Sequence, residues 1–253
     1  MKRTILVTGA SSGIGRAIAR RLLADGHTVV GVARNFTRLQ KPDGAFPPDG
    51  AFHPDGAFHA VKIDLERLDE LSAALHALLD RHPAIDCAVL NAGKGIFGHL
   101  ERLSERDVRS SMDLNFLSHA LAARALVPHL KRSGRGDLIF MGSEAALRGR
   151  RQGSLYCAAK FALYGFAQAL REECATSGVR VTTIQPGMVR SPFFDALEFS
   201  PGAANDEALE PEDVAALVAA VLALRPGAVV DEIRLSPQKH VVHFRNTPRE
   251  HPR

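Results

Sequence analysis

Short runs of apolar and β-branched residues alternate along the chain with longer stretches in which apolar residues recur at intervals of three and four. The short runs predict strands over Thr4–Thr8, Thr28–Ala33, Ala57–Ile63, Cys87–Leu90, Asp137–Met141, Arg180–Gln185 and Val229–Leu235. The longer stretches predict helices over Gly13–Ala24, Leu68–Leu79, Glu105–Leu130, Leu155–Thr176 and Pro211–Leu224. Strand, helix and strand in regular succession require right-handed crossovers, which place helices on both faces of a parallel sheet. The pattern therefore predicts an α/β fold, a doubly wound parallel sheet of seven strands within a single domain over residues 1–239.

Two segments depart from this rhythm. Pro42-Asp43-Gly44-Ala45-Phe46 recurs as Pro48–Phe52 and again as Pro54–Phe58. Pro-Asp-Gly is a turn signal, so residues 41–58 read as a loop insertion after the second strand. A tandem duplication is tolerated there because doubling a loop costs only about 0.6 kcal/mol. The other reading is an aromatic arm exposing Phe46 and Phe52. Residues 240–253 lack an apolar period and read as a flexible tail, mobile past Phe244.

Composition narrows the function classes. Hydrophobic residues make up 45% of 253 and charged residues 24%, an ordinary globular balance. No stretch approaches the roughly 18 to 20 apolar residues of a membrane helix. Met1–Val7 leads directly into an apolar run, with no room for a secretory signal. The expectation is a soluble, cytoplasmic protein with no membrane partner. The formal charge is +4, but Lys and Arg are interspersed with acids, which argues against nucleic acid. Cys87, Cys157 and Cys174 have no metal-ligand spacing and read as reduced thiols, and the eleven histidines form no pattern for a metal.

The candidate chemistry lies at strand ends. The first strand runs into Thr8-Gly9-Ala10-Ser11-Ser12-Gly13-Ile14-Gly15 and then a helix. Glycines there let backbone amides and the helix N-terminus approach an anionic pyrophosphate. Tyr156 and Lys160, four apart, share a helix face, where a lysine ammonium would lower the phenol pKa towards the working pH. Ser143 ends a strand thirteen residues before Tyr156, where its hydroxyl can hold a substrate oxygen.

With these residues in their order, the chain resembles the short-chain dehydrogenase/reductase family, in its single-domain Rossmann-fold branch, from about Lys2 to Leu235. The resemblance implies a cofactor loop at Gly9, Ser11, Ser12, Gly13, Ile14 and Gly15, with Asp64 and the adjoining Leu65 at the adenine. It places Asn91-Ala92-Gly93 along the cofactor and Pro186-Gly187, Val189 and Ser191 over the nicotinamide and its carboxamide. It implies a tetrad of Asn115, Ser143, Tyr156 and Lys160, in which Asn115 holds a proton-relay water and Lys160 also binds the nicotinamide ribose. Family helices pair across a two-fold axis, so the apolar stripes with Phe116, Leu121, Leu126, Phe161, Leu163 and Phe166 imply a homodimer or homotetramer.

Ser191 stands where many members have threonine, and Glu144 follows Ser143 where a small residue is usual. The endings Leu209–Val214 and Asp231–Leu235 are similar to bacterial NADP-dependent 3-hydroxy acid dehydrogenases, which suggests a small hydroxy or oxo acid as substrate. Arg148, Arg150 and Arg151 suggest an anionic group on it. At the end of the second strand Ala33 removes the acid that would repel a 2′-phosphate, and Arg34 can bind that phosphate, so NADP(H) is the expected cofactor. The competing readings are a catalytically idle NADP sensor, which should lack a tetrad member, and an epimerase or dehydratase, which would need a larger C-terminal part.

Overall fold

The computed structural model describes residues 2–36 and 58–245. Along the chain come β1 (Thr4–Thr8), α1 (Gly13–Ala24), β2 (Thr28–Ala33), β3 (Phe58–Lys62), α2 (Leu68–Arg81), β4 (Ile85–Leu90), α3 (Glu105–Met112) and α4 (Ser118–Arg132). They are followed by β5 (Gly136–Met141), α5 (Ser154–Cys174), β6 (Val179–Pro186), β7 (Phe199–Pro201), α6 (Pro211–Ala223), β8 (Glu232–Leu235) and β9 (Val242–Phe244). Seven strands pair in the order β3-β2-β1-β4-β5-β6-β8, every neighbour parallel. The chain winds outward from β1 in one direction and from β4 in the other. The crevice beyond their carboxyl ends is where such sheets bind ligands.

Alternation along the strands feeds two cores. On β1, Leu6 packs with Leu71, Leu75, Leu126, Leu130 and Leu163 under α2, α4 and α5. Ile5 and Val7 point to the opposite face and pack with Ile18, Leu22 and Val218 under α1 and α6. Most of the stripe predicted to seek a partner is used here: Leu126 and Leu163 are fully buried, and Phe116, Leu121 and Phe166 pack against the first core. Phe161 remains exposed. No helix among the described residues is long and apolar enough to cross a membrane.

The structure corrects several boundaries. The helix predicted over Glu105–Leu130 is broken by a π turn at Asp113–Leu117. An extra residue in one turn leaves the apolar recurrence nearly intact, so periodicity does not reveal it. The first sheet strand after α3 and α4 begins at Gly136, β4 begins at Ile85, two residues before the predicted Cys87, and β8 begins at Glu232, after the predicted Val229. The expected loop over 41–58 lies outside the described residues except for Phe58, which is core: its ring lies 2.6 Å from where a Cβ on Gly31 would stand. Within the expected tail over 240–253, Val242–Phe244 form β9, antiparallel to β7, and Arg245 donates to the carbonyls of Asp195 and Phe194, while residues 246–253 lie outside the described residues.

At the opposite sheet edge from the crevice, buried Asp137 accepts from Arg3 Nη1 at 2.5 Å and from Arg180 Nε at 2.7 Å, while Arg3 Nε reaches Asp86 at 3.1 Å. The cluster ties together the starts of β1, β4, β5 and β6. Asp137→Ala would leave Arg180 without its carboxylate and Arg3 with Asp86 alone, at a cost of about 3–5 kcal/mol. At roughly 2–4 °C per kcal/mol for a chain of this size, Tm should fall by at least about 6 °C. Calorimetry checks this, and a loss below 2 °C would mean the cluster is merely surface-like.

Candidate active site

The crevice begins at Thr8, the last residue of β1. Its buried hydroxyl accepts the backbone N–H groups of Asn91 at 2.8 Å and Ala92 at 3.1 Å, and its carbonyl accepts from Asn91 Nδ2 at 3.0 Å. This staples the glycine loop to the end of β4. Gly9 and Gly13 adopt φ of +69° and +51°, a region open mainly to glycine. At Gly15 a Cβ would stand 2.3 Å from the Gly9 carbonyl oxygen. Ser12 caps α1 without a side-chain bond, and the first turn of α1 holds no acid. Ser11, Ser12, Gly13 and Ile14 thus form a backbone cradle at a helix N-terminus, the arrangement that receives an anion.

The remaining predicted cofactor residues surround this cradle. Asp64 and Leu65 follow β3, with Leu65 buried in the first core and Asp64 accepting from the Glu66 N–H at 3.1 Å. After β6, Gly187 N–H donates to the Leu235 carbonyl at 2.8 Å, and Val189 is buried and bridged to Leu209. These bonds hold Pro186-Gly187 against β8 and bring Ser191 over the loop, its Cβ 3.2 Å from where a Cβ on Gly13 would stand. Arg34, at the end of β2, is largely exposed and donates one Nη1 bond to Glu66 at 3.2 Å. Glu66 also receives Lys94 Nζ at 2.6 Å.

The four predicted catalytic residues converge around Ala92-Gly93. Asn115 lies in the π turn, fully buried, and its amide clamps Lys94 on both sides, accepting the Lys94 N–H and donating to the Lys94 carbonyl, each at 3.0 Å. Both Nδ2 hydrogens are thus spent on the Lys94 and Ser111 carbonyls, which commits the side chain to shaping the loop. Ser143 follows β5 by two residues and is held through its N–H, which donates to Gln185 Oε1 at 2.7 Å. Gly142 is required for this, since a Cβ there would stand 1.9 Å from that oxygen.

Tyr156 is buried with Ala145 and Cys157, with the Ser143 hydroxyl near its phenol. Burial pushes the phenol well above its ordinary range, and the nearby Ser143 hydroxyl only partly offsets this. Lys160, also buried, donates to the Met141 carbonyl at 2.8 Å, with Nζ 5.8 Å from the Tyr156 ring centroid. Burial lowers its pKa to about 8. The predicted depression of the tyrosine pKa is therefore reversed in this structure. Two desolvated groups each favour their neutral forms, and the ammonium sits on a carbonyl instead of the phenol.

Three polar residues here were missed by sequence reasoning. Thr8 and Gln185 are hydrogen-bonding residues at the ends of apolar strands, a signal that was available. Gln185 Nε2 is buried without a partner among the described residues. His119, one turn beyond Asn115, is buried and donates through Nε2 to the Ala92 carbonyl, 2.7 Å away. Burial, aided by nearby Lys160, holds its pKa down to about 3, so it stays neutral. In the arginine run Arg150 pairs with Glu144 at 3.3 Å, and Arg148 and Arg151 are exposed.

Comparison with known proteins agrees with this geometry. A sepiapterin reductase of Chlorobaculum tepidum is 32% identical over 94% of this chain and 97% of its own length. An alcohol dehydrogenase of the archaeon Thermococcus sibiricus, solved with 5-hydroxy-NADP, superposes with a TM-score of 0.81 at 27% identity over 95% of this chain and 99% of that one. A metagenomic short-chain oxidoreductase solved with NADP superposes with a TM-score of 0.76 at 28% identity over 93% and 97%. The family model described as short chain dehydrogenase matches residues 3–199, more than half of the sequence, and the chain therefore belongs to the short-chain dehydrogenase family of oxidoreductases.

Proposed function

We propose that this chain is an NADP(H)-dependent oxidoreductase that moves a hydride between nicotinamide and an alcohol or carbonyl carbon, with Tyr156 as proton donor and acceptor. The observation that carries this reading is the buried Tyr156 phenol near the Ser143 hydroxyl and beside Lys160, on the same sheet edge as an uncapped glycine cradle. The cradle fits a dinucleotide, because Gly15 leaves no room for a side chain where a pyrophosphate must approach backbone amides. Gly9 to Gly15 would hold the pyrophosphate, Asp64 and Leu65 the adenine, Asn91-Ala92-Gly93 and Lys160 the nicotinamide ribose side, and Val189 and Ser191 the nicotinamide. When bound, the cofactor supplies or takes up the hydride.

The residues of the chain do the rest. The phenol, kept protonated by burial, gives its proton to a carbonyl oxygen in reduction and takes it back from an alcohol in the reverse direction. Ser143 donates to that same oxygen and fixes its position, with Gln185 holding the serine backbone in turn. Lys160, charged below a pKa of about 8, places a positive charge beside the ring that stabilises developing phenolate. An idle sensor has no need of this assembly, and all four catalytic positions are filled. Phe161 and Leu117, exposed on α5 and the π turn, are the surface on which we expect a second copy to pack.

Cofactor choice tests the reading. The carboxylate that would repel a 2′-phosphate is replaced by Ala33, and Arg34 spends only one bond on Glu66, leaving donors for a phosphate. Fluorescence titration should show tighter binding of NADPH than of NADH. Ala33→Asp with Arg34→Leu should reverse the order, since a charge-assisted contact contributes about 1.5–3 kcal/mol, or roughly 10- to 150-fold. Equal affinities in the parent would contradict this choice.

A further inference from the structure

The wall packed against the Tyr156 ring is built of phenyl rings. Phe97 lies 5.2 Å and Phe193 5.6 Å from the Tyr156 ring, centroid to centroid. Phe199 continues the wall at 4.9 Å from Phe97, and Phe244 adds its ring 6.4 Å from Phe199. Phe97, Phe193 and Phe199 are half-buried, so each touches another ring and still offers open surface. They converge over Gly95, where a Cβ would stand within 3.0 Å of Phe97, Phe193 and Leu197.

The rings come from separate parts of the chain: the loop after β4, the segment after β6, β7 and β9. The C-terminal stretch fastens the ring-bearing segment from outside. β9 pairs with β7, the Arg245 N–H donates to the Glu198 carbonyl at 2.8 Å, and its guanidinium donates to Asp195 and Phe194 carbonyls at 2.9 and 3.1 Å. Lys239 pairs with Asp206 at 2.7 Å further along the same segment.

Three of the cations near this wall are already matched, whereas Arg148 and Arg151 are exposed. Arg150 is paired with Glu144, Arg190 with Glu210 and the carbonyls of Gly202 and Ala204, and Lys94 with Glu66. An anion at Arg150, Arg190 or Lys94 would have to displace a partner already in place, whereas an apolar group gains ring contacts by simple burial.

We propose that the substrate is a carbonyl or alcohol compound whose group flanking the reacting carbon is neutral, apolar and ring-sized, seated on Phe97, Phe193 and Phe199, with the C-terminal strand Val242–Phe244 as the outer wall of its pocket. The proposal rests on the reading of Tyr156 as the proton donor, because it is the substrate oxygen's place at Tyr156 and Ser143 that lays the flanking group on the rings. It replaces the small oxo acid suggested by the chain's C-terminal sequence.

The test is kcat/KM with NADPH for an aryl ketone, a biphenyl ketone, propanal, and a short 3-oxo acid beside its methyl ester. The parent should prefer the aryl ketone to propanal and to the acid by at least about 10-fold, the scale on which apolar pockets discriminate. In Phe193→Ala and Phe199→Ala the ratio of aryl ketone to propanal should fall at least about 10-fold. Phe244→Ala should lower the ratio of biphenyl to aryl ketone, since its ring lies farthest from Tyr156. Phe193→Leu keeps the bulk and serves if the alanine variant fails to fold. As a second readout, calorimetry of the aryl ketone on the NADP⁺-loaded protein should show weaker binding in Phe199→Ala. A parent that reduces the 3-oxo acid as well as the ketone, or variants that slow every substrate alike, would overturn the proposal. A protein that binds NADPH but reduces none of these compounds would overturn the oxidoreductase reading with it.

Discussion

Tyr156→Phe should bind NADPH within a few-fold of the parent and lose turnover by at least the roughly 100-fold expected when a general acid is removed. The substitution deletes one oxygen and keeps the ring, so the packing on Phe97 and Phe193 survives. Ser143 beside it retains its backbone hold on Gln185 and its own bond from the Ala145 N–H at 3.1 Å. Because burial raises the tyrosine pKa, the phenol also carries a desolvation penalty that phenylalanine lacks, and the variant should be at least as stable as the parent. Near-parental rates on any carbonyl the parent reduces would remove Tyr156 from the mechanism.

Gly15→Ala should have the largest effect on cofactor binding, an affinity loss of at least about 100-fold, through close packing that cannot relax cheaply. The new methyl would meet the Gly9 carbonyl at 2.3 Å and Asn91 Nδ2 at 2.6 Å. Neither can yield freely: Gly9 is fixed at φ +69°, and the Asn91 amide is bonded to the Thr8 carbonyl at 3.0 Å. Gly165→Ala in α5 is the control. Nothing lies within 4 Å of its added Cβ, so helix propensity alone should raise stability, by up to about 1 kcal/mol. Unchanged NADPH affinity in Gly15→Ala would place the dinucleotide somewhere other than this loop.

The sheet was legible because each buried strand is a short apolar run between helical patterns, and β1, α1 and β2 fall on the residues expected. The π turn was not, since one inserted residue shifts the helix face without removing its apolar positions. β9 escaped notice because Val242, His243 and Phe244 are all exposed, so no alternation marks them; their strand exists only by pairing with β7. The tetrad was legible as spacing and order. Its electrostatics were not: the direction of the Tyr156 shift depends on burial, and Lys160 turns to the Met141 carbonyl, a partner that only the fold supplies. The arginine run looked like an anion site because its counter-ion, Glu144, sits six residues before Arg150 and meets it only through the turn between them.

The central claim is hydride transfer at the carbon whose oxygen Tyr156 protonates, and isotope tracing tests it most directly. The protein is incubated with NADPH deuterated at C4 on one face and then the other, together with a ketone that it reduces, and the alcohol is examined by NMR and mass spectrometry. The account predicts deuterium on the carbinol carbon from one labelled face only, with the hydroxyl proton drawn from solvent, and no labelled alcohol from Tyr156→Phe beyond the residual rate. Alcohol that carries no deuterium from either face, or NADPH that binds and is never consumed with any carbonyl, would contradict it.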